Sequence, residues 1–176
     1  MNSSFHTLLL TWLTLSSYAI AQSPSGKTDF NVADRLAIQN VISSHFLLLD
    51  SNQIDAWIAN YADKAIFVAV ISGKRYESDR PVFEKFFRDR FRTFRENGDQ
   101  RRHLVSNIFF VDQTVDSAHI KANGLLLTTN NGGDPQPVGG LTYEGWFEKL
   151  NGVWKIVKWV VRGDTNIEFE RPEGMR

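Results

Sequence analysis

The feature that constrains this sequence most is a change of period. Up to about Phe94 the apolar residues recur mainly at helical spacing, and from His103 to Arg162 they fall into strand-like runs. A first helix is predicted from Val32 to about Leu49, because Ile38, Ile42, His45 and Leu49 follow a four-three-four spacing and lie on one face. Ser51 or Asn52 can cap a second helix in which Ile54, Trp57, Ile58 and Tyr61 share a face. The branched apolar run Ala65 to Ile71 reads as a strand covered on both faces, ended by a turn at Ser72-Gly73-Lys74. Pro81 suits the first turn of a third helix, whose face carries Val82, Phe83, Phe86, Phe87, Phe91 and Phe94 until Asn97-Gly98 stops it. Strands follow at His103–Val111, Ser117–Thr129, Gly140–Leu150 and Val153–Arg162, with a type I′ turn at Asn151-Gly152 and a longer loop over Asn130 to Pro135. Helices first and strands afterwards predict an α+β domain, a curved antiparallel sheet packed against three helices around a cavity.

Composition bounds the partners. Twenty basic and twenty acidic side chains cancel, so the chain lacks the basic footprint of a nucleic-acid binder, and no nucleic-acid partner is expected. A hydrophobic content of 42%, with thirteen Phe and five Trp, suffices for one packed core, while the absence of Cys excludes disulfides and thiolate metal sites. At the start, Leu8 to Leu15 forms an apolar run and Ala19-Ile20-Ala21 offers small residues for cleavage. Residues 1–21 are therefore expected to be a signal peptide, and the protein to enter the secretory pathway and be secreted. Residues 22–31 read as a disordered lead-in, 32–165 as the domain and 166–176 as a tail.

Two residues on the first helix stand out chemically. His45 places a titratable ring in an apolar stripe, and Asp50 falls at the helix C-terminus, where the dipole disfavours a carboxylate. Their plain alternatives are a satisfied core histidine and a cap for the next helix. Arg88, Arg92, Arg95, Arg101 and Arg102, interspersed with Asp89, Glu96 and Asp99, read as a solvated mixed-charge face. No ligand-spaced His pair exists and His119 lies on another strand, so no metal site is predicted.

Several pieces, in order, resemble one known family. They are Asp34-Arg35-Leu36-Ala37-Ile38-Gln39, Leu49-Asp50, His103 with Asn107, Thr142-Tyr143, and Asn151-Gly152-Val153-Trp154-Lys155. The chain resembles, over about residues 33–164, the SnoaL-like branch of the nuclear-transport-factor-like cone fold, which includes scytalone dehydratase and hexachlorocyclohexane dehydrochlorinase. That resemblance implies an acid-base dyad of Asp50 and His103, with His45 in the place of a cavity lysine. Trp159 stands where the dehydrochlorinase has an arginine, which speaks against halide elimination, and the catalytic base of the ketosteroid isomerases would fall near Ala69. The resemblance further implies a homodimer formed through the outer face of the sheet.

On this reading a neutral His103, oriented by Asp50, removes a proton near pH 7 without any cofactor. Strand alternation puts Asn107 on the same face as His103. Tyr143 and His45 would hydrogen-bond a carbonyl or departing hydroxyl, and Trp57, Tyr61, Phe67, Leu126 and Trp159 would supply an apolar wall. The expected function is a lyase or isomerase of dehydratase type acting on an apolar small molecule of secondary metabolism. An epoxide hydrolase or cyclase, and a non-catalytic small-molecule binding protein, are the alternatives.

Overall fold

The computed structural model describes residues 31–164 and Gly174. The expected signal segment, nearly all of the lead-in and the tail beyond Gly163-Asp164, Gly174 apart, lie outside the described residues. Asn31, the last residue of that lead-in, caps the first helix: its Oδ1 accepts from the backbone N–H of Ala33 (3.0 Å) and Asp34 (3.3 Å). Helix α1 (Val32–Asp50) buries Ile38, Ile42, His45, Phe46 and Leu49, the stripe read from the spacing plus Phe46.

The second helix differs from its prediction. Ser51 closes α1 instead of opening the next helix, its hydroxyl and its N–H both bonding Leu47 O (2.6 and 3.0 Å). The chain then turns through Asn52 at φ 58° into α2 (Ile54–Ile58), only five residues long and without a side-chain cap. Tyr61 consequently begins strand β1 (Tyr61–Ile71) instead of ending a helix. A tight turn at Ser72 and Gly73, both at positive φ, leads to β2 (Lys74–Asp79), which periodicity did not predict. Its sequence, Lys-Arg-Tyr-Glu-Ser-Asp, is polar because β2 is an edge strand whose solvent-facing side needs no apolar residues. Asp79 caps α3 (Arg80–Glu96), accepting from Val82 N (3.3 Å), with Pro81 in the first turn; Gly98 at φ 66° follows its end.

The remaining chain forms β3 (Asp99–Gln113), β4 (Ser117–Asn130), β5 (Gln136–Leu150) and β6 (Val153–Gly163). The expected Asn151-Gly152 turn is present, with φ 51° and 81°. The six strands form one open sheet in the order β2-β1-β6-β5-β4-β3. Four of its pairings are antiparallel, three of them among the later strands predicted to pair so, and the fifth, β1 with β6, is parallel. Alternation reports which face a residue takes and is blind to strand direction, so this pairing was not legible.

The helices cover one face of the sheet. That face is built by alternate residues, such as Leu141, Tyr143, Gly145 and Phe147 on β5. A Cβ at Gly145 would lie 2.6 Å from the Trp159 ring, so a glycine here lets that fully buried indole cross the strand. Two of the family-like pieces meet in a structural latch. Asp34 accepts from Trp154 Nε1 and Lys149 Nζ, both at 2.8 Å, tying α1 to the β5–β6 hairpin; these donors hold its carboxyl below the usual range. Among the described residues no helix is long and apolar enough to cross a membrane.

Candidate active site

Between the sheet and the helices lies a cavity of about 130 Å³. Its inner wall consists of buried residues, among them His45, Phe46, Trp57, Phe67, Tyr143 and Trp159. Its half-buried lining, which marks the mouth, comes largely from α3 (Phe86, Phe87, Arg90, Phe94), with Arg101 and Leu126 opposite. His103 lines the cavity too, its side chain 13% exposed.

Asp50 and His103, 53 residues apart, meet behind this wall. Asp50 Oδ1 lies 2.6 Å from His103 Nδ1, and Oδ2 accepts from the His103 backbone N–H at 2.8 Å. Two bonds from one residue resolve the puzzle of a carboxylate at a helix C-terminus: the unfavourable dipole is offset by charge-assisted hydrogen bonds in a nearly dry site. A carboxylate can only accept, so Nδ1 carries a proton, and in the neutral ring the lone pair is on Nε2. The Asp50 carbonyl is held in turn by Gln100 Nε2 (2.8 Å) and Arg102 Nη1 (3.4 Å), which anchor the end of α1 to β3.

His45 is wired the opposite way. Trp57 Nε1 donates to its Nδ1 at 3.0 Å, and the Tyr61 hydroxyl lies 3.3 Å from the same atom. Nδ1 is therefore an acceptor and Nε2–H the donor, so His45 presents a proton where His103 presents a lone pair. Burial, with the neighbouring His103, lowers the His45 pKa to about 3, so this ring stays neutral. Its position in the apolar stripe is that of a satisfied core histidine that also lines the cavity.

Tyr143 lies across Gly124 of the adjacent strand. A Cβ at Gly124 would be 2.4 Å from its Cε2 and 3.0 Å from its hydroxyl, so only glycine leaves that space. The Tyr143 hydroxyl is buried and has no hydrogen-bond partner among the described residues. Burial, then the charge of Asp50, raises its pKa, and it remains a protonated donor. Phe46 connects these groups, its ring centroid 5.3 Å from that of His103 and 4.9 Å from that of Tyr143.

Of the residues read from the sequence, His45, His103, Tyr143, Trp57, Phe67, Leu126 and Trp159 line the cavity; Asp50 stands behind His103, and Tyr61 behind His45. Asn107 is not among the lining residues. It adopts φ 54° at a bulge between Ser106 and Phe109, where one extra residue interrupts the alternation and leaves Asn107 exposed. Phe46, which sits beside His45 on α1, escaped the reading because the stripe was drawn one residue too narrow. Arg101 escaped because it was assigned to a solvated face, although it shares the inward parity of His103 on β3. His119 lies on the outer face, stacked on Trp146 at 4.4 Å.

Comparison with known proteins agrees with this fold. A SnoaL-like domain is matched over residues 31–160. No curated protein matches the sequence significantly. Among solved structures, a candidate scytalone dehydratase from Novosphingobium aromaticivorans superposes with a TM-score of 0.67 at 18% identity, over 84% of this chain and 98% of that one. ActVI-ORFA from Streptomyces coelicolor gives 0.66 at 15% identity, over 76% and 97% of the two chains. Aln2 from another Streptomyces gives 0.65 at 13%, over 77% and 94%. These likenesses establish the shared fold, and the domain match, which spans most of the chain, establishes that this protein belongs to the SnoaL-like family.

Proposed function

We propose that this protein is a cofactor-independent lyase or isomerase acting on a largely apolar small molecule, with His103 as the base and Asp50 as its orienting partner. The observation that carries the proposal is the 2.6 Å bond between Asp50 and Nδ1, which leaves Nε2 of a cavity-lining His103 as a lone pair. In this reading Nε2 takes a proton from a carbon next to a carbonyl, and the C–H electron pair forms an enolate. Charge developing on the carbonyl oxygen is met by donors already in place, the Tyr143 hydroxyl and His45 Nε2–H. In an elimination the enolate reforms the carbonyl, a C=C bond forms, the C–O bond to a β-hydroxyl breaks, and the imidazolium returns its proton to the departing oxygen as water. In an isomerisation the same proton goes to a different carbon. Either way His103 ends neutral.

The apolar, aromatic-walled cavity supports substrates of polyketide or terpenoid type. An epoxide hydrolase would call for a carboxylate to activate water, and both oxygens of Asp50 are engaged by His103. Assays with β-hydroxy-ketones and with epoxides, recording loss against gain of water, test the choice. His103→Ala should lower turnover of the active substrate by about a hundredfold or more, the range of a general base, while Asp50→Asn lowers it with the fold retained. Full activity in both variants would overturn the assignment.

A further inference from the structure

The cavity is small for a ligand-binding site. Pockets that take drug-sized molecules run to about 300–1,000 Å³, whereas an apolar hole of about 150 Å³ takes one benzene ring. At about 130 Å³ this cavity falls in the second class. Its depth is set by Trp159. The residues opposite Trp159 on the adjacent strands are Gly145 of β5 and Phe67 of β1. Because Gly145 has no side chain, the benzo ring of the indole lies across β5: a Cβ there would stand 2.6 Å from Trp159 Cζ3 and 3.0 Å from Cε3. The indole thereby reaches the site itself, its centroid 4.7 Å from that of His45 and 5.8 Å from those of Phe46 and Tyr143. It is 1% exposed and meets the Phe147 ring at 88°, so it is wedged in place and a ligand does not push it aside. A shorter side chain here would leave its volume open beside His45 and Tyr143.

We propose that this cavity admits a substrate body of a single six-membered ring, its carbonyl turned towards His45 and Tyr143, and that Trp159 is the residue that fixes this limit. The polar groups are spaced for one ring. The rings of His45, His103 and Tyr143 lie 4.7, 5.3 and 4.9 Å from that of Phe46, so two donors and one acceptor gather around a space of single-ring width. A second fused ring would have to displace the wedged indole or stand outside, among Phe86, Phe87 and Phe94 at the mouth. The size limit stands on the cavity alone; which carbon of the ring reacts rests on the lyase or isomerase reading.

Titration of the protein, followed by NMR, with 2-cyclohexenone and with 1-tetralone, the same conjugated ketone with a second ring fused on, tests this. Cyclohexenone should bind more tightly by about tenfold or more, although tetralone has more apolar surface to bury. Trp159→Leu, in a protein whose circular dichroism is unchanged, should gain about tenfold or more in affinity for tetralone, and the milder Trp159→Phe should gain severalfold. Equal or tighter binding of tetralone by the parent protein, no binding of cyclohexenone at about 10 mM, or no gain for tetralone in either folded variant would overturn the proposal. The comparison in the parent protein decides the size limit even where a variant does not fold. His103→Ala should keep the preference for one ring, so loss of turnover in that variant reports on the base, and the ring preference reports on Trp159.

Discussion

Tyr143 shows at the scale of one residue how a site can be built against stability. Among the described residues its buried hydroxyl has no partner, although a buried polar group left unsatisfied costs about 1–3 kcal/mol. The closest approach to Gly124 is made by the ring edge, Cε2, which phenylalanine would keep. Tyr143→Phe should therefore raise the melting temperature or leave it unchanged while lowering turnover, because the variant loses a donor and keeps the ring. A fall in melting temperature on this substitution would mean that the hydroxyl is structural. His45 and His103 make the complementary point: one residue type serves as donor or as acceptor according to which nitrogen its neighbour occupies.

At the scale of elements, the site depends on strands meeting with glycine at particular crossings. Gly124 on β4 faces Tyr143 on β5, and the added methyl of Gly124→Ala would stand 2.4 Å from the ring. The ring or the strand must shift, so this variant should be less stable by about 1–3 kcal/mol, as is usual for overpacking. Chemical denaturation measures this, and an unchanged midpoint would show that the ring is free to move. The bulge on β3 does the reverse at Asn107, inserting one residue and turning that side chain away from the face that carries Arg101 and His103. The edge strand β2 is polar for the same kind of reason, since position in the sheet rather than propensity sets its composition.

For the molecule as a whole, the neutral core histidine couples folding to pH. The His45 pKa is lowered from 6.5 to about 3 in the fold, because burial excludes the charged form. The unfolded chain takes up a proton near pH 6.5 that the folded chain refuses, so this contribution is complete above about 6.5 and declines as pH falls towards 3. The slope is about 1.4 kcal/mol per pH unit for one proton. His45→Gln, which keeps an acceptor without a titrating ring, should flatten the acid side of the stability curve by about that slope; urea midpoints at about pH 4, 5 and 7 give the comparison, and identical slopes would refute it. The sequence by itself determined the order and kind of most elements, the burial of His45 and the Asn151-Gly152 turn, because periodicity and turn chemistry are local properties. Its resemblance to a family also paired Asp50 with His103. Only the tertiary structure decided that β6 runs parallel to β1, that β2 completes the edge, that Asn107 leaves the cavity and that Arg101 enters it. Periodicity reports the face of its own element that a side chain takes, whereas what stands opposite that face is settled by strands and helices distant in the chain.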